Sequence, residues 1–231
     1  MSVKRGFIDG CFDGFHYGHV YALFQSKQKC DVLVTGTHSD AEMTAYKKAP
    51  LYSYEERAEL LKKCRFIDEF VGEVPYVVQN SILEINRCDR YFHGDETVLT
   101  SQNKNAICVD PEKYETYQTT RGISSTQLRE RLSMKSDAAT NSDFDYLLGI
   151  YKQIRDFVLG NSIPDGADVM WIRIGTGVGS AGNILNDLLR IREEKRIILS
   201  VYDEPNSIYN KYELAIILLG LSCVDDVVIE P

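Results

Sequence analysis

The sequence lacks the features that mark several large classes of protein. Its 26 basic residues are outnumbered by 34 acidic ones, giving a formal net charge of −8, whereas a nucleic-acid-binding surface is normally basic. It has no long hydrophobic run, since residues 214–221 form the longest one and are far too few to span a bilayer. Residues 1–5 contain no apolar stretch of the kind that a signal peptide needs. We therefore expect no nucleic-acid partner and no transmembrane segment.

Cysteine is sparse and unpatterned. The six cysteines include no Cys-x-x-Cys pair and fall short of the density of a disulfide scaffold. Reduced thiols are the simplest interpretation, and they predict a cytoplasmic protein. With 44% hydrophobic and 26% charged residues, the chain has an ordinary globular composition and enough length for one large or two small domains. Its acidity does not exclude a small anionic substrate, because a pocket can be locally positive.

What the sequence does contain is a strand-to-helix turn at residues 7–19. A short apolar start leads into a glycine-rich turn, then into His-x-Gly-His and a helix-compatible stretch. Turn glycines let the backbone approach a ligand closely, and a helix start offers unpaired N–H groups to an anion. His16 and His19 can both face that anion, and Gly18 between them leaves the space free of a side chain.

Several kinds of chemistry fit such a turn. Metal binding would want further Cys, His or carboxylate ligands at fixed spacing, and we assign no metal-binding residue. Two histidines and some glycines can also meet at a turn by chance. The strand before the motif, the helix after it and a second motif near residue 120 weigh against chance.

The first half of the chain alternates strand-like and helix-like segments. Strands are predicted over residues 7–8, 31–36, 66–71, 90–93 and 108–109, and helices over 18–29, 54–64 and 79–86. Ser53 is the predicted N-cap of the second helix. This alternation predicts an α/β fold with a doubly wound parallel sheet. Ligands bind such sheets at the carboxyl ends of the strands, where His16, His19 and residues 93–95 fall.

The second half begins with a change of composition. Residues 133–143 are small, polar and aperiodic, which predicts a linker, and an amphipathic helix is predicted over 144–159. After a loop at 161–166, the pattern predicts a strand at 168–174, a glycine-rich turn at 175–182, a helix at 183–193 and a strand at 196–201. We expect a catalytic domain over residues 1–132, a linker and connecting helix over 133–166, and a shorter half over 167–231.

That shorter half is similar to a degenerate copy of the first. The alignment pairs Gly175 with Gly10, Gly179 with Gly14, residues 197–199 with 32–34, and residues 223–228 with 66–71. In this register, Ala181 and Ile184 occupy the places of His16 and His19. The copy is therefore expected to keep the strand-turn-helix arrangement and to lack the catalytic residues.

The glycine run 175–182 also suggests a dinucleotide site. Such a site would want an acidic residue about 20 positions on, whereas Asp203 lies roughly 25–30 from the turn. The match to the first half explains more residues, and we favour it.

The second motif covers residues 119–128, Thr-Thr-Arg-Gly-Ile-Ser-Ser-Thr-Gln-Leu, at the start of a predicted helix. Ordinary N-capping accounts for hydroxyl residues at that position. The functional interpretation adds Gly122, which allows close backbone approach, and Arg121, which can hold a phosphate.

With one motif at each end, roughly the first 135 residues resemble the cytidylyltransferases, whose second motif is R-T-x-G-[IV]-S-[ST]-[ST]. Further matches are Lys47, residues 54–57 and 65–69, and Pro75-Tyr76. The resemblance implies a Rossmann-like nucleotidyltransferase fold. Residues 75–77 and 93–95, with the second copy, are most similar to family members that act on phosphoethanolamine.

The resemblance therefore implies transfer of CMP from CTP to a small alcohol phosphate, with phosphoethanolamine expected and pyrophosphate released. Phosphocholine or glycerol 3-phosphate as the acceptor, and a nucleotide-binding pseudoenzyme, remain open. Mg²⁺ would accompany CTP and pyrophosphate. Residues 65–69 would belong to a homodimer interface.

The resemblance also assigns roles to individual residues. His16 and His19 would contact the triphosphate, and Lys47 would neutralise phosphate charge from a mobile loop. The nucleotide-binding set, taken from the two motifs, is Gly10, Cys11, Phe12, Gly18, Gly122, Ile123, Ser124, Ser125 and Thr126. The acceptor-binding set is Asp13, Tyr76, His93, Gly94 and Asp95.

One position departs from the family pattern. The arginine that opens the family's second motif falls on Thr119 here, and Arg121 stands two residues later. A guanidinium side chain is long enough for Arg121 to substitute, which makes it the fourth catalytic candidate beside His16, His19 and Lys47. His38 belongs to no motif, and we interpret it as an ordinary strand-end histidine.

Overall fold

The structure, a computed structural model, describes residues 3–96, 107–134, 143–160, 169–175, 196–202 and 209–230. The chain divides into two compact units, Met1–Arg121 and Gly122–Pro231. The predicted domain boundaries at residues 132 and 166 stay predictions.

The first unit contains seven strands, four α-helices and one short 3-10 helix (Pro111–Lys113) among its described residues. The strands are β1 (Arg5–Gly10), β2 (Val32–Thr37), β3 (Glu69–Glu73), β4 (Val78–Gln79), β5 (Arg90–Gly94), β6 (Ile107–Cys108) and β7 (Tyr114–Tyr117). The helices are α1 (Tyr17–Lys27), α2 (Asp40–Tyr46), α3 (Tyr54–Lys62) and α4 (Asn80–Ile85).

Five of these strands form one parallel sheet in the order β3-β2-β1-β5-β7, while β4 and β6 pair separately. From β1 the chain moves outward through β2 to β3, then returns past β1 to β5 and β7. The strand order thus reverses between β1 and β5, which is where ligands bind in open α/β sheets. The predicted doubly wound parallel sheet is confirmed.

Both faces of the sheet are covered by apolar packing. Phe7, Val34 and Tyr91, in register on neighbouring strands, form one buried cluster with Leu83 of α4. Ile8 follows Phe7 and points to the opposite face, yet only 1% of it is exposed. Burial on both faces explains why the central strands are apolar without alternation.

A capping box defines the start of α3. Ser53 accepts a hydrogen bond from the Glu56 backbone N–H, and the Glu56 carboxylate accepts one from Ser53 N–H, a capping box that confirms the predicted start of α3. The helix α2 was not predicted, because Met43 is its only buried side chain and so it has no apolar periodicity. Likewise β7 carries no apolar run, and β3 begins at Glu69, three residues later than expected.

The second unit contains a smaller parallel sheet. Its described elements are α5 (Ser125–Met134), α6 (Phe144–Gly160), β8 (Val169–Gly175), β9 (Arg196–Tyr202), α7 (Lys211–Leu219) and β10 (Asp226–Ile229). The strands lie in the order β10-β9-β8, and α6 packs against α7 and β10. No helix in the described ranges is long and apolar enough to cross a membrane.

The expected helix at 144–159 and strands at 168–174 and 196–201 are confirmed. The linker prediction was wrong at its start, because Ser133 and Met134 still belong to α5. Residues 135–142, the glycine run beyond Gly175 and the helix 183–193 lie outside the described residues. The degenerate second copy therefore stays a prediction.

The same pair of hydrogen bonds occurs in both sheets. It aligns their sequences one residue away from the predicted register. In the first unit, Asp68 accepts from Leu33 N–H at 2.7 Å and donates its own N–H to the Leu33 carbonyl. In the second, Asp225 makes the same two bonds with Ile197, again with 2.7 Å to its carboxylate. Ile197 thus occupies the place of Leu33, and the predicted match of Ile197 to Val32 was wrong because side-chain likeness among apolar residues cannot fix register.

Candidate active site

The candidate residues of the first unit gather at the carboxyl edge of its parallel sheet. The turn at 10–19 follows β1, residues 38–40 follow β2, residues 74–76 follow β3 and residue 95 follows β5. Residues 118–121 follow β7 at the same edge. Because all five strands are parallel, segments that are distant in sequence meet at this edge.

The turn after β1 has an unusual backbone. Phe12 and Phe15 adopt positive φ angles of 48° and 21°, and Gly14 has φ 77°. Such angles are uncommon for residues other than glycine and concentrate at functional sites. The Phe12 and Phe15 rings pack against the imidazole of His19 at 5.3 and 6.2 Å, so the turn also orients that side chain.

His16 and His19 stand together at the start of α1. Their rings are stacked with centroids 3.8 Å apart, and His16 is buried while His19 is half-buried. The His16 backbone N–H donates to His19 Nδ1 across 3.4 Å, so a neutral His19 carries its proton on Nε2. Burial, then the neighbouring His16 and Lys47, lower the pKa of His19 well below its usual value. The site therefore offers a neutral imidazole N–H and a helix N-terminus to an anion.

Lys47 follows α2 directly and is exposed on a loop. Its ammonium lies 5.7 Å from the centre of the Tyr76 ring, which stacks on Tyr46 at 4.6 Å. Its positive charge contributes to lowering the pKa of His19 and of His93. The charge of Lys47 thus acts on side chains near the carboxyl ends of both β1 and β5.

The buried Arg57 was missed by the sequence analysis. Its guanidinium, completely buried on α3, donates to the carbonyls of Cys11 and His38 at 2.8 and 2.9 Å. It also donates to Thr37 Oγ1 at 2.8 Å and to Asp40 Oδ1 at 2.6 Å. Arg57 therefore holds the segments that follow β1 and β2. The only signal in the sequence was its place in residues 54–57, which matched the family without a role.

Asp13, predicted to bind the acceptor, makes hydrogen bonds within the chain. Its Oδ1 accepts from the backbone N–H of Leu51 at 2.8 Å and of Tyr52 at 3.1 Å. These bonds fix the loop that follows Lys47. Asp13 thus links the His-x-Gly-His turn to that loop.

The predicted acceptor residues on β5 lie at the same edge. His93 is half-buried, and burial is the main cause that lowers its pKa. A Cβ on Gly94 would come within 2.9 Å of Thr119 Oγ1, which explains the glycine. Asp95 accepts from the Thr119 backbone N–H at 2.8 Å, which lowers the pKa of that exposed carboxyl group.

Arg121 ends the first unit close to α1. Its carbonyl accepts a hydrogen bond from the Tyr17 hydroxyl at 2.7 Å, and Tyr17 lies between the two histidines in sequence. The Arg121 side chain is exposed. This tether holds the Arg121 backbone at the helix start that carries His16 and His19.

The rest of the second motif opens the second unit. Gly122 has φ 78°, a conformation that suits glycine. The Ser124 hydroxyl accepts from Gln127 N–H at 3.2 Å, so Ser124 caps α5. Ile123 is buried, whereas Ser125 and Thr126 form the first turn of the helix. Nucleotide binding by these residues stays a prediction.

His38 is more than an ordinary strand-end residue. It is buried, its Nε2 lies 3.3 Å from Asp9 Oδ2, and its ring centre lies 5.0 Å from that of Tyr76. Tyr91 donates its hydroxyl proton to Asp9 Oδ1 at 2.6 Å. No sequence pattern links Asp9, His38 and Tyr91, because each lies in or directly after a different strand.

Two further predictions concern metals and assembly. Within the described ranges, no group of three or more His, Cys, Asp or Glu side chains is arranged to hold a metal ion. In the predicted interface segment 65–69, Asp68 binds Lys27 at 2.7 Å and Glu69 binds Arg5 at 2.7 Å. Those two carboxylates therefore already have partners within the chain, and the homodimer stays a prediction.

Comparison with known proteins places these residues in context. The family described as cytidylyltransferase-like matches residues 7–131. A probable ethanolamine-phosphate cytidylyltransferase of Encephalitozoon cuniculi is 28% identical over 252 aligned positions, which cover 100% of this chain and 76% of that protein.

Two further relatives match a part of this chain. The probable ethanolamine-phosphate cytidylyltransferase of Schizosaccharomyces pombe is 35% identical over 55% of this chain, and the Mus musculus ethanolamine-phosphate cytidylyltransferase is 31% identical over 62%. Each alignment covers 36% of the longer relative. The match to these two proteins thus spans about a third of their length.

Proposed function

The chain belongs to the cytidylyltransferase-like family, and on that premise we propose that it transfers CMP from CTP to phosphoethanolamine, giving CDP-ethanolamine and pyrophosphate. The relatives named above carry the ethanolamine-phosphate designation. The observation that supports the reaction best is the stacked pair His16 and His19 at the start of α1, beside the strand-order reversal.

The proposed reaction needs charge stabilisation more than covalent help. The acceptor's phosphate attacks the α-phosphorus of CTP in line, and pyrophosphate leaves. The neutral His19 donates from Nε2 to a phosphate oxygen, and His16 with the α1 N-terminus faces the same charge. Lys47 and Arg121 supply positive charge as it develops on the leaving group.

CTP enters this reaction as its Mg²⁺ complex, so the ion arrives with the substrate. We assign no protein ligand to it. The side chains assigned above bind and orient the phosphates through their imidazole, ammonium and guanidinium groups.

The acceptor is proposed to lie over the β3 and β5 ends of the sheet. Tyr76 offers a half-buried aromatic ring, and such a ring attracts a cation such as the acceptor's ammonium. His93, Gly94 and Asp95 border the same edge. Asp13 acts by holding the loop that follows Lys47.

We also propose that the protein works in the cytoplasm. Cys11, Cys30, Cys64 and Cys88 are thiols, and burial raises the pKa of Cys64 to about 12. Reduced cysteines at such positions suit a reducing compartment.

A turnover assay tests the proposal. The full chain is incubated with CTP and Mg²⁺ and with phosphoethanolamine, phosphocholine or glycerol 3-phosphate, and pyrophosphate and the CDP-alcohol are quantified. We expect CDP-ethanolamine, with kcat/KM at least about tenfold above the other acceptors. Preference for another acceptor would contradict the substrate, and nucleotide binding without turnover would favour a pseudoenzyme.

A further inference from the structure

The buried carboxylate of Glu213 does more than its place in a capping box requires. Glu213 is the third residue of α7, and its Oε2 accepts from the Asn210 N–H at the helix start at 3.1 Å. The equivalent residue of α3, Glu56, makes the same cap from an exposed position. Glu213 is completely buried. Because burying a carboxylate costs free energy, and the cap does not need that burial, a second partner is required to explain it.

That partner is Arg131 of α5. Its Nη1 donates to both carboxylate oxygens of Glu213, at 3.0 and 2.9 Å, and the Arg131 side chain is 15% exposed. The guanidinium therefore neutralises the buried negative charge. Two packed apolar side chains of similar volume would serve stability as well as such an ion pair. Stability alone therefore does not account for the pair.

The second terminal nitrogen of the guanidinium contacts the second motif. Arg131 Nη2 donates to the Gly122 carbonyl at 3.2 Å. Arg131 lies two helical turns after Ser124, which caps α5, so both lie on one face of the helix. Helical side chains lean toward the N-terminus, which brings the guanidinium back to the turn that precedes α5. Arg131 thus joins Glu213 to the backbone of that turn.

The turn at Gly122 depends on such contacts for its shape. Gly122 is exposed and has φ 78°, and glycine loses more conformational freedom on folding than any other residue. The preceding carbonyl, that of Arg121, accepts from the Tyr17 hydroxyl at 2.7 Å. Two consecutive carbonyls are therefore held by side chains. Because Glu213 already fixes the guanidinium, the bond to Gly122 requires little further ordering of that side chain.

We propose that Glu213 and Arg131 are positioning residues that hold the turn at Gly122 in the shape that binds CTP. This inference rests on the proposed function and on the predicted nucleotide contacts of residues 122–126. Glu213 supports nucleotide binding through Arg131 and does not itself contact the nucleotide. Since the Arg131 guanidinium bonds to Glu213 and to a carbonyl, we assign it no phosphate contact in place of the arginine missing at Thr119.

Arg131→Lys separates the two contacts of the guanidinium. An ammonium can pair with Glu213 as a point charge, but it lacks the second nitrogen that reaches Gly122. We therefore expect the affinity for CTP, measured by calorimetry on the full chain without acceptor, to fall about fivefold or more. The thermal unfolding midpoint should stay within about 3 °C of that of the unmodified protein, because the charge pair is kept.

Arg155→Lys is the matched control. Arg155 donates to both carboxylate oxygens of Asp226, at 2.7 and 2.6 Å, and this pair joins α6 to β10. The same substitution at this pair should change the affinity for CTP by less than about twofold. An unchanged affinity in Arg131→Lys would overturn the inference, and so would an equal loss of affinity in the two variants.

Turnover kinetics add a readout that a merely structural role would not move selectively. In Arg131→Lys we expect KM for CTP to rise about fivefold or more, while kcat and KM for phosphoethanolamine stay within about twofold. An equal rise in both KM values would contradict the inference, because it marks a general loosening of the fold. Absence of turnover in unmodified protein that binds CTP would contradict the proposed function instead, and the calorimetric comparison would still stand.

A second variant keeps the inference falsifiable if Arg131→Lys is unstable. Arg131→Met combined with Glu213→Leu replaces the buried pair by apolar side chains, a change that is often neutral for stability. It also removes the bond to Gly122, so its affinity for CTP should fall at least as far. Hydrogen exchange needs no ligand, and we expect the amides of residues 121–128 to exchange at least about fivefold faster in both Arg131 variants. Unchanged exchange there, or the same acceleration in Arg155→Lys, would overturn the inference.

Discussion

The two units contain corresponding helices, α3 and α7, that begin and end in the same way. In the first, Ser53 and Glu56 form a capping box at the start of α3, and in the second, Asn210 and Glu213 do so at the start of α7. Both helices have nine residues, and each is followed by an aspartate that bonds the backbone of the neighbouring strand.

The units differ in what their buried polar groups hold. At the fourth position of α3, Arg57 reaches the segments after β1 and β2, whereas Leu214 stands at the fourth position of α7. The buried Glu213 instead pairs with Arg131 at 2.9 Å, within the framework of its own unit. Among the described residues, the buried charge at this helix thus holds loops at the sheet edge in the first unit and pairs with another side chain of its own unit in the second.

The largest expected effect comes from giving the first unit the residue of the second. Arg57→Leu leaves the Cys11 and His38 carbonyls and Asp40 without their buried partner, so we expect a loss of about 3–5 kcal/mol in the free energy of unfolding. Denaturant unfolding measures it. Arg90→Leu is the control, because Arg90 makes a partly exposed ion pair with Glu115, and it should cost no more than about 1 kcal/mol. Equal costs would mean that the Arg57 network does not hold the edge.

Removing the imidazoles should abolish most of the chemistry and spare the fold. His16→Ala and His19→Ala are each expected to lower kcat by about 10²–10³-fold, as for a lost contact to transition-state charge. Initial rates with saturating CTP and phosphoethanolamine measure this, with circular dichroism to verify folding. Near-normal turnover by a well-folded double variant would refute the role assigned to the pair.

Arg121 sharpens the comparison, because this chain has Thr119 where the family pattern has an arginine. If Arg121 replaces the arginine missing at Thr119, Arg121→Ala should lose roughly 2–4 kcal/mol of transition-state stabilisation, measured from kcat/KM. Arg121→Lys should recover only part, because an ammonium cannot make a bidentate phosphate contact. Arg90→Ala again serves as the control. Unchanged kcat/KM in Arg121→Ala would make Arg121 a bystander.

The sequence predicted the parallel sheet and the position of the histidine pair well, for physical reasons. Apolar strands buried on both faces and the glycine-rich turn before His16 leave strong local patterns. Arg57, Asp9 and His38 produce no such pattern in the sequence. Their contacts join segments that only the folded sheet brings together. The sequence does not predict the helix α2, because its single buried residue, Met43, produces no apolar periodicity.

We claim that residues 168–231 bind no nucleotide, because Ala181 and Ile184 are predicted to stand in the places of His16 and His19, and CTP titration by calorimetry tests this claim most directly. We predict one CTP site per chain, with affinity reduced at least about tenfold when His16 and His19 are both replaced by alanine. Two sites per chain, or one site whose affinity survives both substitutions, would contradict the claim.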